Sequence, residues 1–239
     1  MNLKDVFTAL TYGELKSLAL GDFCAEDFES APDPLHYAQI MSHIQLGLTE
    51  LYTRFLLRVD EIFVQQYEHI EIYSLTWPYC VTNTASTEPY KYVLDSTESP
   101  FQDNVLKIEE CYNEIGEKLV LNESDDDESM FTPSFNTIQV PQPVSANVIG
   151  VQYRANHPRL EYVKGMKPEE IEIELPWGLM EALLYYVGMR AYSGTNTDAS
   201  QQSTNYWKRF EASCERYKLK GLQVEPEVQN SNFDACGWR

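Results

Sequence analysis

The chain has 239 residues and a mass of 27.6 kDa, enough to bury one large core or two small ones without disulfide or metal staples. It is 43% hydrophobic and carries sixteen tyrosines, a globular composition. Its 18 Lys and Arg against 37 Asp and Glu give a formal charge of −19, which argues against gripping nucleic-acid phosphates through basic side chains. Cys24, Cys80, Cys111, Cys214 and Cys236 are odd in number and too widely spaced for a CxxC pair or a zinc set, so they are read as free thiols in a reducing compartment. The N-terminal MNLKDVFTAL lacks the basic and long apolar regions of a secretory signal, and no apolar run is long enough to span a bilayer. A cytosolic, unprocessed chain without membrane contact is expected.

Leu3, Val6, Phe7 and Leu10 recur at helical spacing, and Leu15 and Leu18 continue the face beyond Gly13, predicting a short first helix. Residues 21–34 read as a loop of acidic residues and prolines. From Leu35 to Leu57, Tyr37, Ile40, Met41, Ile44, Leu48, Leu51, Tyr52 and Phe55 form one broad stripe and predict the longest helix. Gly47 inside it costs roughly 1 kcal/mol relative to alanine, which a close helix crossing would offset. His36 and His43 share a face but have no neighbouring residues to complete a metal set, so both are read as structural or surface histidines.

After Arg58 the period becomes alternating. Ile62 and Val64, then Ile70 and Ile72, predict two short strands or one bent strand, and Tyr90 to Leu94 a further one. NVLKIEECY and EKLVLN flank a turn at Asn113 to Gly116 and predict a hairpin, with Gly116 supplying positive φ. NTIQVP and VIGVQYRA add two strands rich in β-branched residues. The acidic run NESDDDES inside the insertion, ahead of these two strands, lacks the alternating ligands and glycine of a calcium loop and reads as a solvated hairpin tip.

Pro176 to Tyr192 predicts a helix with Pro176 in its first turn and Gly194 near its end. Trp177, Met180, Leu183, Leu184, Val187 and Ala191 lie on one face, Leu179, Tyr185, Tyr186, Met189 and Tyr192 cover much of the rest, and only Glu181 and Arg190 are charged. A helix apolar nearly all round belongs in the middle of a bundle or has one side in a subunit contact. Trp177, Met180, Leu184, Tyr185, Tyr186 and Met189 are therefore the candidate packing residues of a bundle or a subunit contact. A last helix spans residues 204–219, with Tyr206, Phe210, Cys214 and Tyr217 inward and Lys208, Arg209, Glu211 and Arg216 outward. The remaining segment is polar and proline-broken but ends with Phe233, Trp238 and Arg239, the pattern of an arm that orders on a partner.

No GxSxG, HExxH, Walker loop or GxGxxG is present, and no histidine, cysteine or carboxylate set stands out as catalytic or metal-binding, so neither an enzyme nor a cofactor is expected. The expected fold is α+β. A helical bundle scaffold (residues 1–60 and 175–220) carries an inserted small antiparallel β domain (61–174) and an extended C-terminal arm (221–239).

The chain resembles the head-to-tail adaptor, or head completion and tail tubular A-like, proteins of short-tailed bacteriophages. The resemblance rests on ALTYGEL at 9–15, IQLGLTELYTRFLLR at 44–58, FTPSFNTIQVP at 131–141, YRANHPRL at 153–160, ELPWGLMEALLYYVGMRAY at 174–192 and NFDACGWR at 232–239. These are packing and interface motifs. The resemblance implies a virion protein, assembled in the host cytoplasm as a dodecameric ring of itself between the portal protein and the tail nozzle protein. Phe233, Trp238 and Arg239 would anchor the arm on the portal, the inserted strands would face the nozzle, and DNA would pass the acidic channel without specific binding. The alternative is a receptor- or carbohydrate-binding virion protein that uses the β insertion.

Overall fold

The computed structural model describes residues 1–18, 20–25, 32–126, 128–163, 166–193 and 197–221. The fold is α+β, and it divides into a helical unit, formed by residues 1–56 and the chain from Arg159 onward, and a β unit, Leu57–Pro158. The insertion is thus shorter than expected at its C-terminal end. Residues 159–174, expected within it, belong to the helical unit, because their backbone pairs with the N-terminus: Leu3 N–H donates to the Ile171 carbonyl (2.9 Å) and Ile173 N–H to that of Met1 (2.8 Å). Polar composition hid a segment held by main-chain bonds.

The helical unit contains α1 (Leu3–Ala9), α2 (Pro34–Arg54), α3 (Trp177–Tyr192) and α4 (Thr197–Leu219). A capping box fixes the start of α1: the Asn2 side chain accepts from the Asp5 amide, and Asp5 returns the bond to the Asn2 amide. The chain continues past α1 as a π-helical turn (Leu10–Glu14), and Leu3, Val6, Phe7, Leu10 and Leu15 are buried as the spacing requires. Asp33 caps α2, whose buried stripe holds Ile40, Met41, Ile44, Leu48, Leu51 and Tyr52. The helix stops at Arg54 rather than Leu57. Phe55 turns extended (φ −122°, ψ 141°) and drops its ring against Tyr217 of α4, 5.3 Å between centroids.

Helix α3 begins one residue later than read, with Pro176 as its N-cap. Its innermost residues are Leu179, Ala182, Leu183, Val187, Gly188 and Tyr192, so the buried stripe is rotated from the one expected through Trp177, Met180 and Leu184. Small residues at 182 and 188 let neighbouring helices approach. A Cβ on Gly47 would lie 2.8 Å from Leu183 Cδ1 and 3.0 Å from the Tyr186 ring; one on Gly188 would lie 3.1 Å from the Tyr206 ring. Both glycines are where α3 meets α2 and α4. Helix α4 starts at Thr197, seven residues before the expected Thr204, because its first two turns have helix-compatible residues but no apolar period to reveal them.

The β unit has a five-stranded sheet in the order β3-β1-β8-β4-β5 and a three-stranded sheet in the order β2-β7-β6, all pairs antiparallel. The strands are β1 (Val59–Gln65), β2 (Ile72–Ser74), β3 (Val93–Leu94), β4 (Val105–Tyr112), β5 (Lys118–Leu119), β6 (Phe131–Ser134), β7 (Thr137–Gln139) and β8 (Val148–Ala155). Their inner faces share one core that includes Ile62, Val64, Tyr73, Tyr92, Cys111, Ile138, Val151 and Tyr153. Ile72, read as an inward residue, is exposed, and Tyr73 takes its place: a one-residue change of phase reverses every side chain of a strand. The hairpin at Asn113 to Gly116 has the expected left-handed glycine (φ 81°), with Asn113 Oδ1 accepting from the amides of Ile115 and Glu117.

Candidate assembly surface

The surface presented by α3 and α4 is built from the inside outward. Phe210 is fully buried and meets Tyr186 edge-on at 5.5 Å. Above it, Arg54 of α2 makes a bidentate pair with Glu211 (2.8 and 2.9 Å) and a further bond to Glu50 (2.6 Å), with its guanidinium 4.8 Å from the Phe210 ring centre. The Arg54 hydrogen bonds hold the Glu211 carboxyl below its ordinary range, against the opposing effect of burial. This cluster ties the ends of α2 and α4 together. At the other end of the pair, Tyr192 and Tyr206 stack at 5.4 Å, and both hydroxyls donate to the Glu14 carbonyl at 3.2 Å, satisfying an acceptor left open by the π-helical turn.

Farther out lie the packing residues read from the sequence. Trp177 is 64% exposed, so within a single copy it is not a packing residue: it stands in the first turn, ahead of the point where α3 enters the core. Met180, Leu184, Tyr185, Tyr186 and Met189 are half-buried. The Tyr185 hydroxyl donates to Glu181 (2.7 Å), and that bond, with some burial, raises the phenol's pKa. Arg209 of α4 lies over both the Tyr185 and Tyr206 rings, at 5.9 and 5.7 Å.

A basic flank runs along α4, on the outward side where the sequence placed Lys208, Arg209 and Arg216 and no function was assigned to it. Lys208, Arg209, Arg216, Lys218 and Lys220 are five of the chain's 18 basic residues, gathered in one helix end of a strongly acidic protein. Arg209 and Arg216 are spaced to lie along one side of α4, and Lys220 follows directly after its last residue, Leu219. That side borders α3, since Arg216 is 3.4 Å from Glu181. A local sum of charge, rather than apolar periodicity, is the signal that would have found it.

The histidines fall elsewhere. His43 on α2 has Nδ1 buried without a hydrogen-bond partner among the described residues, and burial, then the Arg190 charge, lowers its pKa. Among the described residues no three His, Cys, Asp or Glu side chains converge as a metal set. Cys80, Cys111 and Cys214 are buried free thiols, pushed up by burial to about 12, about 12 and about 11. Among the described residues no helix is long and apolar enough to cross a membrane. The arm residues Phe233, Trp238 and Arg239, and Cys236 with them, lie outside the described residues.

On the β unit a separate aromatic group forms at the surface. Tyr90 lies 5.2 Å from Tyr67 and 4.6 Å from His69, and both Tyr90 and His69 are exposed. Elsewhere in the same unit Tyr79 stacks on buried Tyr92 at 4.7 Å. In the acidic run, residues 122–125 and Glu128 are exposed, and the Asn122 amide donates to the Met130 carbonyl (2.8 Å). No family model matches the chain, and no curated protein matches it.

Proposed function

We propose that this chain is a structural virion protein, the head-to-tail adaptor of a short-tailed bacteriophage, which forms a ring between the portal and the tail nozzle and lines the channel through which the genome leaves. The observation that carries the reading is the surface of α3 and α4. Helix α3, one of the segments that carry the likeness, leaves Trp177 64% exposed and five further apolar or aromatic side chains half-covered, beside a basic flank. A protein of charge −19 gains a place for its cations at such a contact. The role proposed is assembly rather than catalysis, and the acidic remainder suits a channel that must repel DNA phosphates.

The test is electron microscopy of the purified protein with and without the portal ring of the same virus. The expected result is a new collar of density on the portal, lost when residues 230–239 with Phe233, Trp238 and Arg239 are deleted. A bare portal with the protein still a compact monomer overturns the reading.

The Tyr67, His69 and Tyr90 group favours the second reading, a receptor- or carbohydrate-binding virion protein, since exposed rings stack on the apolar faces of sugars. A glycan-array signal abolished by Tyr90→Ala, together with a bare portal, would establish it in place of the first.

A further inference from the structure

The helical unit contains a cavity of about 430 Å³ lined by α1, the loop before α2, the first turn of α2 and the chain around Tyr162 and Met166. One wall is a run of rings: Phe23, which is buried, meets Tyr37 edge-on at 5.4 Å, and Tyr37 stacks on half-buried Tyr162 at 5.6 Å. The Tyr37 hydroxyl donates to the Phe23 carbonyl (2.5 Å), which fixes the ring in that wall. Met166 and Pro168 add apolar surface. A cavity of about 150 Å³ already holds a benzene ring, so a phenyl group and the residue beside it have room here. Rings pack well against a further ring, edge-on or offset.

The lining reverses the charge of the chain. Lys4 and Lys167 stand there against Glu169, in a protein whose acids outnumber its bases by 37 to 18. Lys167 is paired with Glu170 (2.9 Å), whereas Lys4, exposed in the first turn of α1, has no ion pair among the described residues. The site therefore suits an aromatic group with a carboxylate next to it. The chain carries that combination at Phe233 and Asp234, in the arm beyond the described residues; the arm's other aromatic residue, Trp238, stands between Gly237 and Arg239 and has no acidic neighbour. The covalent reach is sufficient. The end of α4 lies by Phe55, since Tyr217 meets that ring at 5.3 Å, and from Phe55 back along α2 to Tyr37 is about 27 Å at ~1.5 Å per residue. The stretch from Gly221 to Phe233 spans up to about 40 Å at ~3.3 Å per residue.

We infer that in the free chain this cavity holds the Phe233 side chain of the chain's own arm, with the Asp234 carboxylate beside Lys4. The ring adds to the Phe23, Tyr37 and Tyr162 wall, and the carboxylate supplies Lys4 with a counter-charge. A covalently joined segment needs little affinity of its own to occupy such a site. On the adaptor reading the same residue anchors the portal, so cavity and portal compete for it and the free subunit is held back from assembly until a portal is present. That consequence rests on the adaptor reading; the docking itself does not.

The experiment is NMR on the free full chain, with labelled methionine methyls and protonated aromatic rings in a deuterated background and no portal present. Nuclear Overhauser contacts are expected from the Phe233 ring to the Met166 methyl and to the Tyr37 and Tyr162 rings. Phe233→Ala is expected to abolish them and to shift the Met166 methyl. Lys4→Glu is expected to weaken them, and Lys4→Glu with Asp234→Lys to restore them; a carboxylate in the first turn of α1 suits the helix dipole, so these variants keep the fold. Absence of the Phe233 contacts overturns the docking, and contacts from Trp238 in their place overturn the residue assignment. Unchanged contacts in Lys4→Glu overturn the pairing with Asp234. Contacts that appear between differently labelled copies in a mixed sample overturn the assignment to the chain's own arm. None of these results depends on portal binding, so the docking and the adaptor reading fail separately.

Discussion

The helical unit and the β unit are held together by different means. In the helical unit most backbone groups are satisfied within long helices, with tyrosine hydroxyls serving a few carbonyls such as that of Glu14, and the core is a matter of fit: Leu183 and Tyr186 close over Gly47, and the Tyr206 ring closes over Gly188. In the β unit the strands are two to eight residues long and leave many main-chain groups outside the ladders. Buried tyrosines take over that task. Tyr73 accepts from the Tyr67 amide (2.9 Å) and donates to the Tyr67 carbonyl (3.2 Å), and Tyr92 does the same for Ser74 at the same distances. Asp95 adds a carboxylate that accepts from the amides of Thr82 (2.9 Å) and Phe101 (3.2 Å) and from the Thr82 hydroxyl; burial would raise its pKa, but these bonds outweigh it and hold it low. Tyrosine enrichment therefore has two meanings in one chain. In the β unit the hydroxyls complete the fold, whereas along α3 Tyr185 and Tyr186 are only half-covered.

The sharpest way to break this contrast is to remove volume from the helical core. Phe210→Ala takes out a fully buried ring beneath Arg54 and is expected to cost about 3–5 kcal/mol in a urea melt followed by circular dichroism at the helical band. A cost below about 1 kcal/mol would mean that helix packing is not tight there. Next in size, Tyr92→Phe keeps the ring and deletes only the hydroxyl that serves Ser74. It is expected to cost about 1–3 kcal/mol, because the Ser74 amide and carbonyl lose a buried partner. Tyr185→Phe, whose hydroxyl reaches only the exposed Glu181, should change stability by less than about 0.5 kcal/mol. If the two tyrosine variants behave alike, the distinction between the units fails.

The smallest expected effect is a pH dependence. The Glu211 carboxyl is held below its ordinary value of 4.5, so its pairing with Arg54 stabilises the native state above that pH and is lost as pH falls through the lower folded value. The Glu211 side chain is 37% exposed, which limits the contribution to less than about 1 kcal/mol. Denaturation midpoints of the native chain and of Glu211→Gln should therefore differ at neutral pH and converge as the solution is acidified below about pH 4. A difference that persists at low pH would show that the glutamine acts through packing.

Elements with a strict period were legible from the chain alone. The stripe of α2, the alternation of Ile62 and Val64 in β1 and the glycine turn after β4 follow from local geometry, because each apolar residue has one available side to bury. The extra turns of α4, the attachment of residues 159–174 to the N-terminus and the phase of β2 were not legible. The first has propensity without pattern, the second depends on pairing with Met1 and Leu3, and the third is a three-residue strand whose direction is set by its neighbour β7. The candidate surface was legible in part. That α3 is apolar nearly all round could be read directly, but which side of it turns inward could not.

By itself, then, the sequence determined the α+β class, the interruption of a helical scaffold by strands, and the acidic charge. Tertiary structure decided which face of α3 is core, that Trp177 stands free, and that Arg216 of α4 borders α3 beside Glu181. The physical reason is the same in each case: an apolar helix, a charged helix end or a buried amide is compatible with several surroundings, and only the elements packed against it select one.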